Sequence, residues 1–372
     1  MRIALVGLVV LAQMAIGAEA PKNPELLKLE PNKWHELHQQ KKGEGVVFRR
    51  QGHGGSCFDS KRGQLVLFGS DTHSKDWKNT PHIYDVAKNE WSRVYPEDSV
   101  KTYAVTEEGI PVAGEKGNHP WATHTFGCVL CDPARDEMVI VCWPSHMRPS
   151  KWGHATKHLW GKIKKHPNWT FNLETHKWTA LPCKAYHFFP NSACFDSDRG
   201  VIVAHKPGGI FELAGEPRKW QQTFRGRTIP GWGHDNCAYD AKHKKVIIFG
   251  ANPNTNDIWA YDPATKSVKK MPTPGKRPPK DQHNPMAFVP EIGQTIVMVD
   301  RTPKKDGAEK STTETWCYNA GKDAWTQIET ATLPMACGMN FNMEYDPGHR
   351  IVLLVTGGYR GATTVWALRP QL

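Results

Sequence analysis

"NCAYDAKHKKVIIFGANPNTNDIWAYDPATKSV", residues 236–268, carries two strand pairs in one breath. A short run ends at Asp240, a polar turn follows, and "KVIIF" returns as a β-branched strand. After a loop, "IWAYD" repeats the approach to an Asp, and a second turn leads to Val268. Apolar runs of this length between Asp-, Pro- and Lys-rich turns predict strands rather than helices. Asp opens such turns because its side chain accepts from backbone N–H groups two or three residues on.

The same plan recurs along the chain. "SCFDSKRGQLVLFGS", "CVLCDPARDEMVIVCW", "SACFDSDRGVIVAHK", "MAFVPEIGQTIVMVD" and "FNMEYDPGHRIVLLVTGG" all read as hairpins of this kind. Downstream, an aromatic residue is followed at seven residues by Trp: Tyr84 and Trp91, Phe171 and Trp178, Tyr318 and Trp325. Tyr261 keeps the spacing with Val268 in the Trp place, and from Phe211 to Trp220 it stretches to nine. Six units of two hairpins predict an all-β fold, a six-bladed β-propeller. The expected blades span 45–95, 120–182, 185–224, 230–272, 280–330 and 335–372. The last unit, "TTVWALRPQL", supplies only a third strand. The lone strand around Trp34, at 32–37, is expected to complete that blade and close the ring. The pattern resembles the kelch-type propellers of the galactose oxidase superfamily over residues 32–372. Their double glycine survives as Gly357–Gly358 and is degraded to "FGS" and "FGA" elsewhere. The resemblance implies that the first residues of each innermost strand rim a central channel, on the face where such propellers carry their sites.

Residues 1–20 place Arg2 before an apolar run and small residues at Ala18 and Ala20, the pattern of a secretory signal peptide. Residues 21–372 are then one propeller domain, secreted or periplasmic, with no membrane span and expected as a monomer or weak dimer. With 48 basic and 37 acidic residues, the net charge is +11. Outside the cell that points to an acidic polysaccharide or oligosaccharide as partner, not nucleic acid. The nine cysteines are odd in number; "CVLC" at 128–131 has no second pair and reads as structural rather than as a zinc site.

His53, His124, His187, His234 and His283 stand at the heads of five successive first strands, and the sixth carries Asn340. Antiparallel blades put these heads and the loops between second and third strands on one face. Nine of the fifteen tryptophans mark strands. The others, Trp77, Trp121, Trp143, Trp152, Trp160 and Trp232, fall in connections on the His face, either pinning loops down or offering flat rings to sugars. The loop 144–168 carries Arg148, five lysines and four histidines with no acid.

An imidazole-rich mouth beside a basic loop suits β-elimination of a uronic-acid polysaccharide. Such a reaction needs a base, an acid and a partner for the sugar carboxylate. Tyr186, His187 and the rim histidines are the candidate acid and base. Arg148, Arg225 and Arg227 are candidate carboxylate partners, with Trp121, Trp143, Trp232 and Asn340 as candidate sugar contacts. Other readings stay open: a non-catalytic glycan- or protein-binding propeller, a metal-dependent oxidase, or a sugar mutarotase. A divalent metal (Zn, Ca or Cu) held by His53, His234 and His283 would serve an oxidase or a lyase. The crosslinked Cys–Tyr pair of galactose oxidase has no counterpart in the sequence. No nucleophile elbow, phosphate-binding loop or dinucleotide fingerprint is present.

Overall fold

The computed structural model describes residues 20–41, 53–72, 76–151, 153–226, 233–250, 255–281, 283–300, 313–334, 341–358 and 361–372. The proposed signal segment therefore lies outside the described residues, up to residue 19. Six four-stranded antiparallel sheets form a ring, each innermost strand touching the next, and the sixth touching the first. The innermost strands are Gly55–Asp59, Val129–Asp132, Ala193–Asp196, Asn236–Asp240, Met286–Val289 and Asn342–Asp346. This is the arrangement of a six-bladed β-propeller. The strand Trp34–Gln39 pairs with Gly361–Leu368 and is the outermost strand of the sixth blade.

The seven-residue spacing has a simple cause. In the first five blades the third strand turns directly into the fourth, so the two residues face each other across the hairpin: Tyr84 and Trp91, Phe171 and Trp178, Tyr318 and Trp325, Tyr261 and Val268. Their rings lie 4.9–5.1 Å apart where both are aromatic. In the third blade the partner of Trp220 is Leu213, not Phe211. The spacing there is also seven; only the aromatic has been replaced. Between blades, Phe68 packs on Trp178 of the next sheet and Phe249 on Trp325. Each such ring removes apolar surface from water on both sides at about 25 cal/mol per Å².

The Asp at each first turn does more than open it. Asp59, Asp132, Asp196, Asp240 and Asp346 are buried and each accepts from a backbone N–H in its own turn. Each also pairs with a basic residue three positions on: Arg62, Arg135, Arg199, His243 and His349. The repeat is therefore Asp-x-x-Arg/His, absent only from the fifth blade, which has "VPEI". Arg62 extends its pair across the blade boundary to Asp136, at 2.6 Å.

Among the described residues, two connections are elaborated on the rim face. The segment between the first and second blades holds a two-stranded ribbon, Ala104–Val105 with Pro111–Val112. It packs with the loop 144–168 around Tyr103, Trp121, Met147 and Leu159, with Trp77 and Trp160 at the edge. Among the described residues no helix is long and apolar enough to cross a membrane.

Candidate functional site at the channel mouth

Counting back six residues from the end of each innermost strand gives His53, Phe126, Pro190, His234, His283 and Asn340. Four of these are left-handed: φ is 58° at His53, 40° at Phe126, 64° at His234 and 61° at His283. That conformation is uncommon for residues with a side chain. Hydrogen bonds running around the rim hold it in place. The amide of Phe126 donates to His53 O (3.1 Å), that of His234 to Pro190 O (2.6 Å), and that of His283 to His234 O (2.9 Å). Proline has no N–H to continue the series at the third blade. The equivalent rim position thus carries three histidines among the described residues; Asn340 lies outside them.

Phe126 sits among the imidazoles. Its ring is 5.0 Å from His53, 5.0 Å from His283 and 6.3 Å from His234, and the rings of His234 and His283 lie 4.1 Å apart. His234 is half-buried, and burial is the main force pushing its pKa down, against the carboxylate of Asp235.

His124 arrives differently, two residues ahead of the rim position. Thr125 fixes it: its hydroxyl donates to Phe68 O and accepts from the amide of Gly55, each at 2.7 Å. His124 Nε2 lies 2.8 Å from His53 Nδ1, and His124 Nδ1 lies 3.2 Å from Thr72 Oγ1. Asp71 Oδ1 completes the group, 3.3 Å from His53 Nδ1 and 3.9 Å from His124 Nε2. All three side chains are buried. Among the described residues this is the group whose donor atoms converge closely enough to hold a metal ion. The trio expected from the sequence, His53, His234 and His283, shares only His53 with it. Asp71 escaped sequence reading because "FGSDTH" reads as a degraded glycine corner after a strand.

His187 stands apart from this group. Its Nδ1 accepts from the amide of Trp143 at 3.1 Å, and its ring stacks on that indole at 4.9 Å and 9°. His166 stacks against the same indole at 5.2 Å. Burial, helped by Arg148 and other cations, pushes His187 down to about 3; burial and Arg148 push His166 down to about 4. Tyr186, the neighbour of His187 in sequence, turns toward Phe188, Phe211 and Trp220 with Lys206 over its ring at 4.8 Å, so the two do not form a pair. Trp121 is buried in the loop core and donates to Val112 O at 2.7 Å. Arg148 is exposed on the loop, and Arg225 is exposed on the outermost strand of the third blade opposite Gly209. Trp232, Trp152 and Arg227 lie outside the described residues.

Below the rim a channel of about 410 Å³ runs between the innermost strands. Its wall includes His234 and His283 at the mouth, Asp235, and four cysteines from successive blades, Cys57, Cys131, Cys194 and Cys237. Cys131 Sγ approaches Cys57 Sγ to 2.7 Å, and the eight cysteines among the described residues are all thiols. Glu344 accepts from Ser56 Oγ at 2.6 Å, and burial pushes its carboxyl up to about 8 despite that bond.

The basic loop is tied to this mouth. His146 stacks on His124 at 4.1 Å and 16°. Arg148, Lys157, Lys162 and Lys164 are exposed, and none makes an ion pair with another described residue. The loop's shape depends on Gly153, where an added Cβ would lie 1.6 Å from Met147 O. Gly153→Ala is expected to cost about 1–3 kcal/mol by overpacking. Trypsin should then cut the loop at its lysines faster than in wild type while the blades stay resistant; equal cutting rates would refute this dependence.

No protein-family model matches the chain, and no curated protein matches it in sequence.

Proposed function

We propose that the protein is an exported carbohydrate-active propeller that binds acidic polysaccharide across the channel mouth and cleaves it by β-elimination at a uronic-acid unit. The observation that carries this reading is the joining of an acid-free basic loop to an imidazole-bearing rim, through the stack of His146 on His124. The exposed cations of that loop would gather carboxylates, by a field that salt weakens. His53 and His124 are buried, which leaves half-buried His234 as the imidazole best placed to meet a ligand.

In this reading His234 is the base. A neutral imidazole takes the proton at C5 of the uronate, the C4–O bond breaks, and a C4=C5 double bond forms. The departing oxygen takes a proton from solvent water at the open mouth. A base in this role contributes about 10²–10⁴ in rate. Incubation with a panel of uronic-acid polysaccharides should yield unsaturated products detected by ultraviolet absorbance. His234→Ala should lower that rate at least about 100-fold with the fold intact. Salt-sensitive binding without product would instead make the protein a glycan-binding module. The absence of both product and binding would sink the acidic-glycan reading.

A further inference from the structure

The buried group of His53, His124 and Asp71 has more convergence than hydrogen bonding explains. His53 Nδ1 carries at most one proton, yet it faces an imidazole nitrogen at 2.8 Å and a carboxylate oxygen at 3.3 Å. One proton serves one of these well. Ligand atoms around a tetrahedral ion at 2.0–2.1 Å lie about 3.3 Å apart. The three separations, 2.8, 3.3 and 3.9 Å, straddle that value. The surroundings match as well. A metal-bound imidazole ordinarily gives its other N–H to an oxygen, which fixes the ring; His124 Nδ1 has Thr72 Oγ1 at 3.2 Å. The second face of that ring is held by His146.

We propose that His53 Nδ1, His124 Nε2 and a carboxylate oxygen of Asp71 hold one divalent transition-metal ion of the zinc class. Two nitrogens and one oxygen suit zinc and its first-row neighbours, whereas calcium and magnesium prefer all-oxygen sets. The residues are 4%, 2% and 2% exposed, and three protein ligands leave the fourth tetrahedral position to a water molecule enclosed with the ion. His53 and Asp71 belong to the first blade and its loop, while His124 leads into the second. The ion therefore clasps two blades and, through His146, anchors the basic loop. This role stands independently of any sugar chemistry.

The test uses the full chain. Purified without chelator and then dialysed against Zn²⁺, it should retain one equivalent by elemental analysis and melt at a higher temperature than after chelation. Co²⁺ in the same place should give visible bands that Asp71→Asn shifts. Asp71→Asn should weaken zinc binding at least tenfold. Thr72→Val, which touches no ligand atom, should weaken it about 10–100-fold. His234→Ala should leave the stoichiometry and the Co²⁺ bands unchanged. No retained zinc, equal affinity in Asp71→Asn, or loss of the metal in His234→Ala would each overturn the assignment. These readouts do not involve substrate, so failure here and failure of the lyase reading are separable.

Discussion

A chain lacking residues 20–39 will not fold cooperatively. The strand Trp34–Gln39 closes the sixth blade, pairing Trp34 with Leu368 and Gln39 with Thr364. It also reaches both neighbours. Trp34 is buried and its Nε1 donates to Thr315 Oγ1 of the fifth blade at 3.1 Å. Leu37 O accepts from Asn89 of the first blade at 2.8 Å, and the amide of Asn23 donates to His349 Nε2 at 2.8 Å. Truncating one buried Trp side chain costs about 3–5 kcal/mol. A whole domain has only about 5–15 kcal/mol to lose. Deleting the strand removes that indole, a row of backbone hydrogen bonds and the cover over an open edge, so the ring should lose its cooperative transition. Trp34→Ala alone should lower the urea midpoint by the equivalent of about 3–5 kcal/mol. A synthetic peptide of residues 30–41 should restore the transition to the truncated chain. A truncated protein with the full chain's denaturation curve would show that the ring does not depend on this closure.

The ring was legible in the sequence because its signals are local. A residue and its partner across a tight hairpin keep a fixed spacing, whatever the rest of the blade does, so Tyr84–Trp91 and its relatives survive divergence. Where one partner changed, as at Leu213, the eye moves to the next aromatic and misjudges the register. The rim was half legible for the same reason. Its true offset is six residues from the strand end, and it is interrupted by Phe126 and Pro190, so a search for histidines gathers His124 and His187 instead. His124 reaches the group only because Thr125 bonds to two backbone groups of the first blade. Asp71 comes from a loop, where no periodicity marks it. The spare indoles illustrate the other limit. Trp121 and Trp143 lie on the expected face, but composition cannot distinguish an indole that covers a loop core from one that waits for a ligand.

The second large effect is expected deeper in the channel wall. Asp235 is buried at the start of the fourth blade and is the common acceptor for three donors of the third. Asn191 Nδ2 lies at 2.9 Å, Ser192 Oγ at 3.0 Å, and His205 Nε2 closes the group with a short contact. The imidazole and the carboxylate are almost wholly excluded from water, at 2% and 0% exposure. Burial lowers the pKa of His205, but the charge and hydrogen bond of Asp235 outweigh it, so the net shift is upward. Removing one member of such a pair strands the other, at about 3–5 kcal/mol. Asp235→Ala should lose that much and leave the third and fourth blades poorly joined, seen as a lower urea midpoint and faster amide exchange in Ala193–Asp196. The pH dependence carries the sign of the shift. Because the folded pKa of His205 lies above the value of about 6.5 for an unfolded histidine, its stabilisation is complete below that pH and fades as pH rises through the folded pKa. The difference in stability between wild type and Asp235→Asn should therefore be largest in mild acid and shrink toward alkaline pH. A difference that stays flat from mild acid to alkali would mean that His205 is neutral in the fold, and that Asp235 acts only as an acceptor for uncharged donors.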